Sequence, residues 1–327
     1  MNIHTKFLLV LLLSSFMGLS SAFADYSKHP DAQKFIEKLE NNYDRTKILT
    51  IFKSANKQQS IINAMNRPAE KVKSWADYKK IFIQKKRVNQ GVQFWLENDE
   101  ILTKASKKYG VAPEIIVAII GVETSYGRNK GSYRVIDALT TLSFDYPKRS
   151  KFFKKQLKSF FLLCEEQKQD PLSLKGSYAG AMGYGQFIPS SYRSFAIDFD
   201  GDGFSDIWNN KADAIGSVAN YFSQHGWRSG EKIVIPAKFD KSYDTSLVNK
   251  LKLDKNIGNL KKIGFHPLYP LSDQIKALPL ILESDDGKNY LLGLHNFYVI
   301  TRYNHSHLYA MAVYELSKLI LDRVKSN

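Results

Sequence analysis

One glutamate stands at the end of a nearly continuous apolar segment. Glu123 follows the run Ile-Ile-Val-Ala-Ile-Ile-Gly-Val, and on a helix it would share a face with Ile116, Ile119 and Ile120. Burial disfavours an ionised carboxylate, so we expect a raised pKa for Glu123. A carboxyl that is protonated near neutral pH can donate to a leaving-group oxygen and later accept a proton, as cleavage of a glycosidic bond requires. From this segment alone, a glutamate that reaches solvent or caps a loop at the helix end is an equally good interpretation.

A loop rich in small residues lies farther along the chain, over residues 177–192. Its glycines allow the backbone to approach a flat ligand closely. Gln186 within it can both donate and accept hydrogen bonds, as sugar hydroxyls and acetamides require. Such loops are common, so this one indicates a saccharide site only in combination with the Glu123 segment.

A third segment, residues 198–209, has the spacing of a calcium-binding loop. It matches the EF-hand pattern at loop positions one, three, five, six and nine, which are Asp198, Asp200, Asp202, Gly203 and Asp206. Asn209 stands at position twelve, where a bidentate glutamate is usual, and this lowers the expected affinity. The alternative is an Asp/Gly-rich turn held by hydrogen bonds alone. The pair His305 and His307 is too sparse for a zinc site and is interpreted as a helix start.

Taken together, these segments resemble the lytic murein transglycosylase B family. The resemblance rests on Gly-Val-Glu-Thr-Ser-Tyr-Gly at 121–127 and on Ala-Met-Gly-Tyr-Gly-Gln-Phe-Ile-Pro-Ser-Ser-Tyr at 181–192. Further matches stand in the family's order at 145–149, 214–222 and 300–304. Each motif is short, but all of them in this order are specific to the family.

The resemblance implies a lysozyme-like enzyme that cuts peptidoglycan glycan strands. In this family one glutamate, here Glu123, protonates the bond between N-acetylmuramic acid and N-acetylglucosamine. It then helps the muramyl C6 hydroxyl attack C1, which leaves a 1,6-anhydromuramic acid end. The positions that match the saccharide groove are Ser177, Gln186, Tyr221 and Tyr303, with Tyr78, Arg149 and Tyr309 as additions. A muramidase that uses water, and a non-catalytic peptidoglycan-binding protein, remain as alternatives.

The resemblance also implies how a metal ion is held. In the family a similar loop binds calcium, and a later aspartate supplies one ligand, for which Asp213 is the nearest match. The backbone carbonyl of Phe204 would supply another. The predicted metal ligands are therefore Asp198, Asp200, Asp202, Phe204 and Asp213. We interpret the ion as a structural calcium or sodium ion, and we expect that the chemistry needs no cofactor.

The elements that position these residues are predicted to be mostly helical, in an α+β fold with a small antiparallel sheet near the C-terminal end. Pro113 suits the first turn of the helix that carries Glu123. Asp285-Asp286-Gly287-Lys288 is predicted to turn a hairpin between the apolar segments 278–282 and 290–301. Predicted helices cover 31–41, 87–108, 113–126, 151–167, 212–225 and 305–323. The whole of 25–327 is expected to form the catalytic region. Within it, the lysozyme-like core is expected over about 95–230 and includes the EF-hand-like loop at 198–213. The hairpin and the last helix are expected over about 275–325.

The N-terminal residues and the composition predict where the protein works. Residues 1–24 combine Lys6, an apolar stretch and Ala-Phe-Ala, which is typical of a cleaved signal peptide. The single cysteine, Cys164, lies in an apolar run and is predicted to be buried. Because no cysteine follows the signal, we expect no lipid anchor and a soluble periplasmic protein. The formal charge of +15 indicates an acidic polymer as partner, and no recognition motif favours nucleic acid. Protein partners cannot be predicted.

Overall fold

The computed structural model describes residues 25–39, 44–66, 73–240 and 247–326. This part of the chain is mostly helical and contains two small antiparallel sheets, which confirms the α+β prediction. The signal peptide predicted for residues 1–24 lies outside the described residues. Within the described ranges, no helix combines the length and the apolar character that spanning a membrane requires.

The helices follow one another closely along the chain. In order they are α1 (Pro30–Glu37), α2 (Arg45–Ser54), α3 (Gln59–Asn66), α4 (Trp75–Phe82), α5 (Lys85–Glu97), α6 (Asp99–Tyr109), α7 (Pro113–Thr124), α8 (Val135–Phe144), α9 (Ser150–Glu166), α10 (Pro189–Phe195), α11 (Lys211–Gln224), α12 (Ile257–Lys262), α13 (His295–Tyr303) and α14 (His307–Lys325). Short 3-10 turns cover Tyr26–Lys28 and Pro147–Arg149.

Helix α7 is the buried centre of the helical body. It packs against α5, α6, α11 and α14, and its residues from Ile115 to Val122 are all buried. A helix that is apolar all round has to be enclosed by others in this way. Pro113 occupies the first turn, where its missing N–H removes no hydrogen bond. Glu123, one residue before the end of α7, is therefore carried into the protein's interior.

Two antiparallel sheets accompany the helices. The strands β1 (Tyr133–Arg134) and β2 (Lys175–Gly176) form a short pair. The larger sheet has the order β4-β3-β6-β5 and consists of β3 (Val234–Phe239), β4 (Phe265–Pro267), β5 (Leu278–Ser284) and β6 (Gly287–Gly293). Leu278, Leu280 and Leu282 of β5 join the main core, whereas Ile235 and Leu292 belong to a second apolar cluster. The larger sheet thus lies between the helical body and a small core of its own.

Several predicted elements are confirmed, and two are corrected. The single helix predicted over 87–108 is wrong: α5 ends at Glu97 and α6 begins at Asp99. Asn98 separates them, and its side-chain amide donates to the Phe94 carbonyl, a local bond that competes with a continuing helix. The second hairpin arm predicted over 290–301 is also too long, because β6 ends at Gly293 and α13 follows. The Asp-Asp-Gly turn itself is confirmed, and Cys164 is buried as predicted.

Candidate active site

The Glu123 carboxyl at the end of α7 is enclosed by neighbouring side chains. Tyr309 of α14 donates a hydrogen bond to its Oε1 at 2.5 Å. Burial raises the pKa of Glu123 to about 7, and the Tyr309 hydrogen bond opposes part of that rise. Glu123 as a whole residue is half-buried. Because of its raised pKa, the carboxyl is substantially protonated at neutral pH.

A cluster of tyrosines from different helices surrounds this carboxyl. Burial raises the pKa values of Tyr78, Tyr303 and Tyr309, and the nearby negative charge of Glu123 adds to each rise. Tyr221 of α11 packs edge-on against Tyr303, with ring centroids 4.7 Å apart. Four of the predicted groove residues are thus brought together with Glu123 by α4, α11, α13 and α14.

Two of these tyrosines use their hydroxyls to hold the protein together. The Tyr221 hydroxyl donates to the carbonyl of Arg302 at 2.7 Å, and the Tyr303 hydroxyl donates to the carbonyl of Gly185 at 2.6 Å. A Cβ added at Gly185 would lie 2.7 Å from the Tyr303 hydroxyl, so this contact needs a glycine. Tyr221 is buried and Tyr303 is half-buried, so with both hydroxyls engaged the surface left for a ligand is mainly that of the Tyr303 ring.

The small-residue loop is folded by the polar residues predicted within it. The Ser177 hydroxyl accepts the backbone N–H of Ala181 at 3.1 Å. The Gln186 amide donates to the carbonyls of Lys130 and Gly183 at 3.2 and 3.0 Å, and Gln186 itself has a left-handed backbone with φ of 51°. Both side chains remain partly accessible. The loop is joined to the tyrosine cluster by the Tyr303 contact at Gly185, the residue before Gln186.

Arg149 is the predicted site residue that the described contacts do not link to the others. It is exposed at the end of the short turn before α9, and its guanidinium lies 4.5 Å from the ring centre of Phe152. None of its contacts within the described ranges is with Glu123 or the tyrosine cluster. A substrate-binding role for Arg149 stays a prediction.

Four aspartates converge in the EF-hand-like loop. Asp198, Asp200, Asp202 and Asp213 each offer a carboxylate oxygen, and these oxygens all lie within 4.8 Å of one another. The first three are exposed and Asp213 is fully buried. Clustered carboxylate oxygens are the donor set that a hard cation such as Ca²⁺ prefers. The residues present therefore fit the predicted ion.

Hydrogen bonds within the loop fix the orientation of these carboxylates. Asp198 accepts the backbone N–H groups of Gly201, Asp202 and Gly203. Asp206, at the ninth loop position, lies outside the four-aspartate cluster and instead accepts the backbone N–H groups of Trp208 and Asn209. Asp213 supplies the fourth carboxylate of the cluster in place of Asp206, because the start of α11 brings the Asp213 side chain back to the loop.

Two residues of segment 121–127, Thr124 and Tyr126, have separate structural roles that the sequence did not predict. The Thr124 hydroxyl contacts the carbonyl of Tyr184 in the small-residue loop, and the Tyr126 hydroxyl donates to the carbonyl of Arg87 in α5. Both contacts join residues far apart in the chain. Only the mixture of Thr, Tyr and Gly after the glutamate could have signalled them.

The fold and the site together define a class. A helical body that buries one protonatable carboxyl beside a cluster of tyrosine rings belongs with the lysozyme-like enzymes that cleave glycans. A family model described as the transglycosylase SLT domain matches residues 27–318, and the chain belongs to this family.

Individual relatives agree with this assignment. The chain is 44% identical over 313 residues to membrane-bound lytic murein transglycosylase B of Escherichia coli strain K12, which covers 92% of this chain and 86% of that protein. It is similar to catenated lytic transglycosylase SltB1 from Pseudomonas aeruginosa, with a TM-score of 0.89, 48% identity, and coverage of 92% of this chain and 100% of the other. It is also similar to Escherichia coli lytic transglycosylase Slt35 in complex with calcium, with a TM-score of 0.83, 43% identity, and coverage of 91% and 95%.

These similarities confirm the predicted family, the lysozyme-like fold and the general activity. The protein is a lytic murein transglycosylase, a lyase that acts on peptidoglycan.

Proposed function

We propose that Glu123 is the single general acid and base with which this enzyme cleaves the β-1,4 bond between N-acetylmuramic acid and N-acetylglucosamine, leaving 1,6-anhydromuramic acid ends. The observation that carries the proposal is the carboxyl of the half-buried Glu123, whose pKa is about 7. With that pKa, about half of the molecules hold the proton at pH 7. A general acid needs such a match between its pKa and the working pH.

The reaction has two proton transfers at Glu123. The protonated carboxyl donates to the leaving O4 of N-acetylglucosamine while the bond between O4 and C1 breaks. The resulting carboxylate then accepts the proton of the muramyl C6 hydroxyl while O6 bonds to C1. The proton count at Glu123 is restored, and no water is consumed.

The surroundings of Glu123 support chemistry by one carboxyl. Burial raises its pKa, the Tyr309 hydrogen bond lowers it in part, and no neighbouring carboxylate among the described residues contributes. Glycosidases that use water or a covalent intermediate usually place a second carboxyl on the other side of the bond. An intramolecular hydroxyl requires accurate positioning instead, because it is already tethered to the reacting sugar.

The predicted groove residues would bind the glycan by two kinds of contact. The rings of Tyr78, Tyr221 and Tyr303 would pack on the apolar faces of sugar rings. Ser177, Gln186 and Arg149 would form hydrogen bonds with hydroxyl and acetamide groups. Tyr309 would bind both sugar and Glu123. The clustering of four tyrosines beside Glu123 supports these roles, whereas that of Arg149 rests on the family resemblance alone.

The four-aspartate cluster would hold a structural calcium ion. The ligands would be Asp198, Asp200, Asp202 and Asp213 with the carbonyl of Phe204. The converging carboxylates support this proposal, as does the calcium complex of the similar Slt35. The ion would neutralise four neighbouring acids and stabilise the loop. It would take no part in proton transfer.

The protein would act in the periplasm, where its peptidoglycan substrate lies. Residues 1–24 would serve as the export signal, and the mature chain would then begin at Asp25. N-terminal sequencing of the secreted protein tests this directly: a first residue of Asp25 is expected, and an intact Met1 would contradict it.

Product analysis tests the proposed reaction. Purified sacculi digested with the mature protein should release muropeptides that end in 1,6-anhydromuramic acid, each lighter by one water than the reducing product, as detected by mass spectrometry. Reducing ends would instead make the protein a muramidase. Sacculi that are bound but uncut would make it a binding protein.

Tyr309→Phe should shift the pH dependence of turnover upward. The variant keeps the ring but loses the hydroxyl that lowers the Glu123 pKa, so the acid form persists to higher pH. We expect the alkaline limb of the kcat profile to move to higher pH by roughly one unit. A shift of this size corresponds to the energy of one hydrogen bond to a charged group. Tyr314→Phe, on the same helix, is the matched control and should leave the limb in place. A downward shift in Tyr309→Phe would contradict the assignment.

A further inference from the structure

The backbone that follows Glu123 is held in an unfavourable conformation. Ser125, Tyr126 and Gly127 have φ values of 50°, 61° and 87°, so two non-glycine residues in succession are left-handed. In this region the Cβ atom crowds the backbone, and the conformation persists only where surrounding contacts impose it. The contacts that impose it here also determine where α7 ends, and therefore where the Glu123 side chain lies.

One of these contacts is the side chain of Tyr126. Its hydroxyl donates to the carbonyl of Arg87 at 3.0 Å, across the interface between α5 and α7. A Cβ added to Gly91 or to Gly121 would lie 2.5 Å from this hydroxyl. The Tyr126 ring thus occupies a slot that exists because both helices carry a glycine there.

The other contact is the hydroxyl of Thr124, the residue after Glu123. Thr124 is fully buried, and its Oγ1 accepts the backbone N–H of Gly127 at 3.0 Å, which closes the left-handed turn. The same oxygen lies 2.9 Å from the carbonyl of Tyr184 and 3.1 Å from the carbonyl of Ile120 within α7, and it can donate its proton in the shorter contact, to Tyr184. Thr124 therefore joins the end of α7 to the small-residue loop.

The small-residue loop is in turn fixed to the metal-binding loop. The backbone N–H of Tyr184 donates to the carbonyl of Ile207 at 3.0 Å. A Cβ added at Gly183 would lie 2.4 Å from that same carbonyl, so the two backbones are in close contact. Ile207 follows Asp206, whose N–H donates to the buried carboxylate of Asp213 at 2.7 Å. Each link in this chain involves backbone or fully buried groups.

We propose that Thr124 is a positioning residue that couples the four-aspartate loop to Glu123. This inference rests on the proposed function, because it takes Glu123 as the acid and the four-aspartate loop as the cation site. The connection runs from Asp213 through Asp206 and Ile207 to Tyr184, and from there through the Thr124 hydroxyl to Glu123. Loss of that hydroxyl breaks the connection at its last link and also releases the left-handed turn.

A pair of substitutions at Thr124 tests the positioning role. Thr124→Val keeps the shape but removes the hydroxyl, whereas Thr124→Ser keeps the hydroxyl and removes a methyl group. We expect Val to lower kcat about 10- to 100-fold, because a displaced catalytic group loses rate steeply, with KM changed less than about threefold. The kcat of Thr124→Ser should stay within about threefold of that of the natural enzyme. A Val variant with full kcat, or a Ser variant as slow as Val, would overturn the inference.

A spectroscopic titration tests the coupling without relying on turnover. Calcium is added to the metal-free protein while the carboxyl ¹³C resonances of Glu123 and the loop aspartates are followed. The Glu123 resonance should shift in the natural protein and in Thr124→Ser as the aspartates bind calcium, and it should stay fixed in Thr124→Val. Equal shifts in all three proteins, or no shift of Glu123 in any, would overturn the coupling. If the natural enzyme does not cleave sacculi at all, the proposed function fails instead.

Discussion

Glu123→Gln is expected to lower the rate of murein cleavage by a factor of about 10³ or more, in the middle to upper part of the range for loss of a general acid and base. The substituted amide has nearly the shape of the carboxyl and can still accept the Tyr309 hydrogen bond. It cannot donate a proton to the leaving oxygen or accept one from the C6 hydroxyl. The rate of release of soluble muropeptides from sacculi, measured at pH 6 to 8, gives the comparison.

The loss of rate should not come from a loss of stability. Glu123 has a higher pKa in the folded state than its ordinary value of 4.5, so folding favours its protonated form. The free energy of unfolding therefore falls as pH rises from about 4.5 through about 7, because the folded protein must then ionise a buried group. Glutamine does not ionise, so the variant loses no unfolding free energy in this way. At pH 8 its melting temperature should be at least as high as that of the natural protein.

A matched control lies at the other end of the same helix. Glu114→Gln makes the same chemical change in the first turn of α7, away from the tyrosine cluster. It should retain the natural rate within about threefold. Full activity in Glu123→Gln, or equal losses in both variants, would contradict the assignment of Glu123.

Removal of calcium is expected to destabilise the protein, and Asp213→Asn should abolish this dependence. At a calcium concentration about 100 times the dissociation constant, binding adds about 2.7 kcal/mol to the free energy of unfolding. For a chain of this size that corresponds to a melting temperature about 5 °C higher. Asp213→Asn removes one ligand charge, so chelation should hardly change its melting temperature. Thermal denaturation with calcium and with a chelator measures both effects.

Asp206→Asn separates the cation site from the EF-hand pattern. Asp206 stands at the ninth loop position, but its carboxylate accepts the N–H groups of Trp208 and Asn209 outside the four-aspartate cluster. An asparagine oxygen can accept the same bonds. We expect this variant to keep its calcium-dependent stabilisation. If Asp206→Asn lost the dependence and Asp213→Asn kept it, the ligand set would be wrong.

The sequence predicted well those features that a short segment determines. The helix that carries Glu123 begins at Pro113 as predicted, because proline marks a first turn and the following apolar run is long enough for a buried helix. The turn after Ser284 was predicted from its Asp-Asp-Gly composition. The aspartate spacing predicted a cation loop, and its carboxylates do converge.

Features that depend on distant parts of the chain could not be predicted from local patterns. The order β4-β3-β6-β5 joins strands far apart in sequence, and neither β3 nor β4 has a strong pattern of its own. Tyr78, Tyr221 and Tyr309 were proposed as groove residues by resemblance alone, since nothing near each of them indicates a shared site. The left-handed turn at Ser125 and Tyr126 was also invisible, because neither residue type favours that conformation and tertiary contacts impose it.

A ¹³C NMR titration of the Glu123 carboxyl carbon tests the central claim most directly. The resonance can be assigned by its loss in Glu123→Gln, and it is followed from pH 3 to pH 9 in the free enzyme. A midpoint at about 7 is expected if burial keeps the acid protonated for catalysis. A midpoint near 4.5, the ordinary value for a glutamate, would mean that Glu123 is ionised at neutral pH, and it would contradict its role as the acid that starts the reaction.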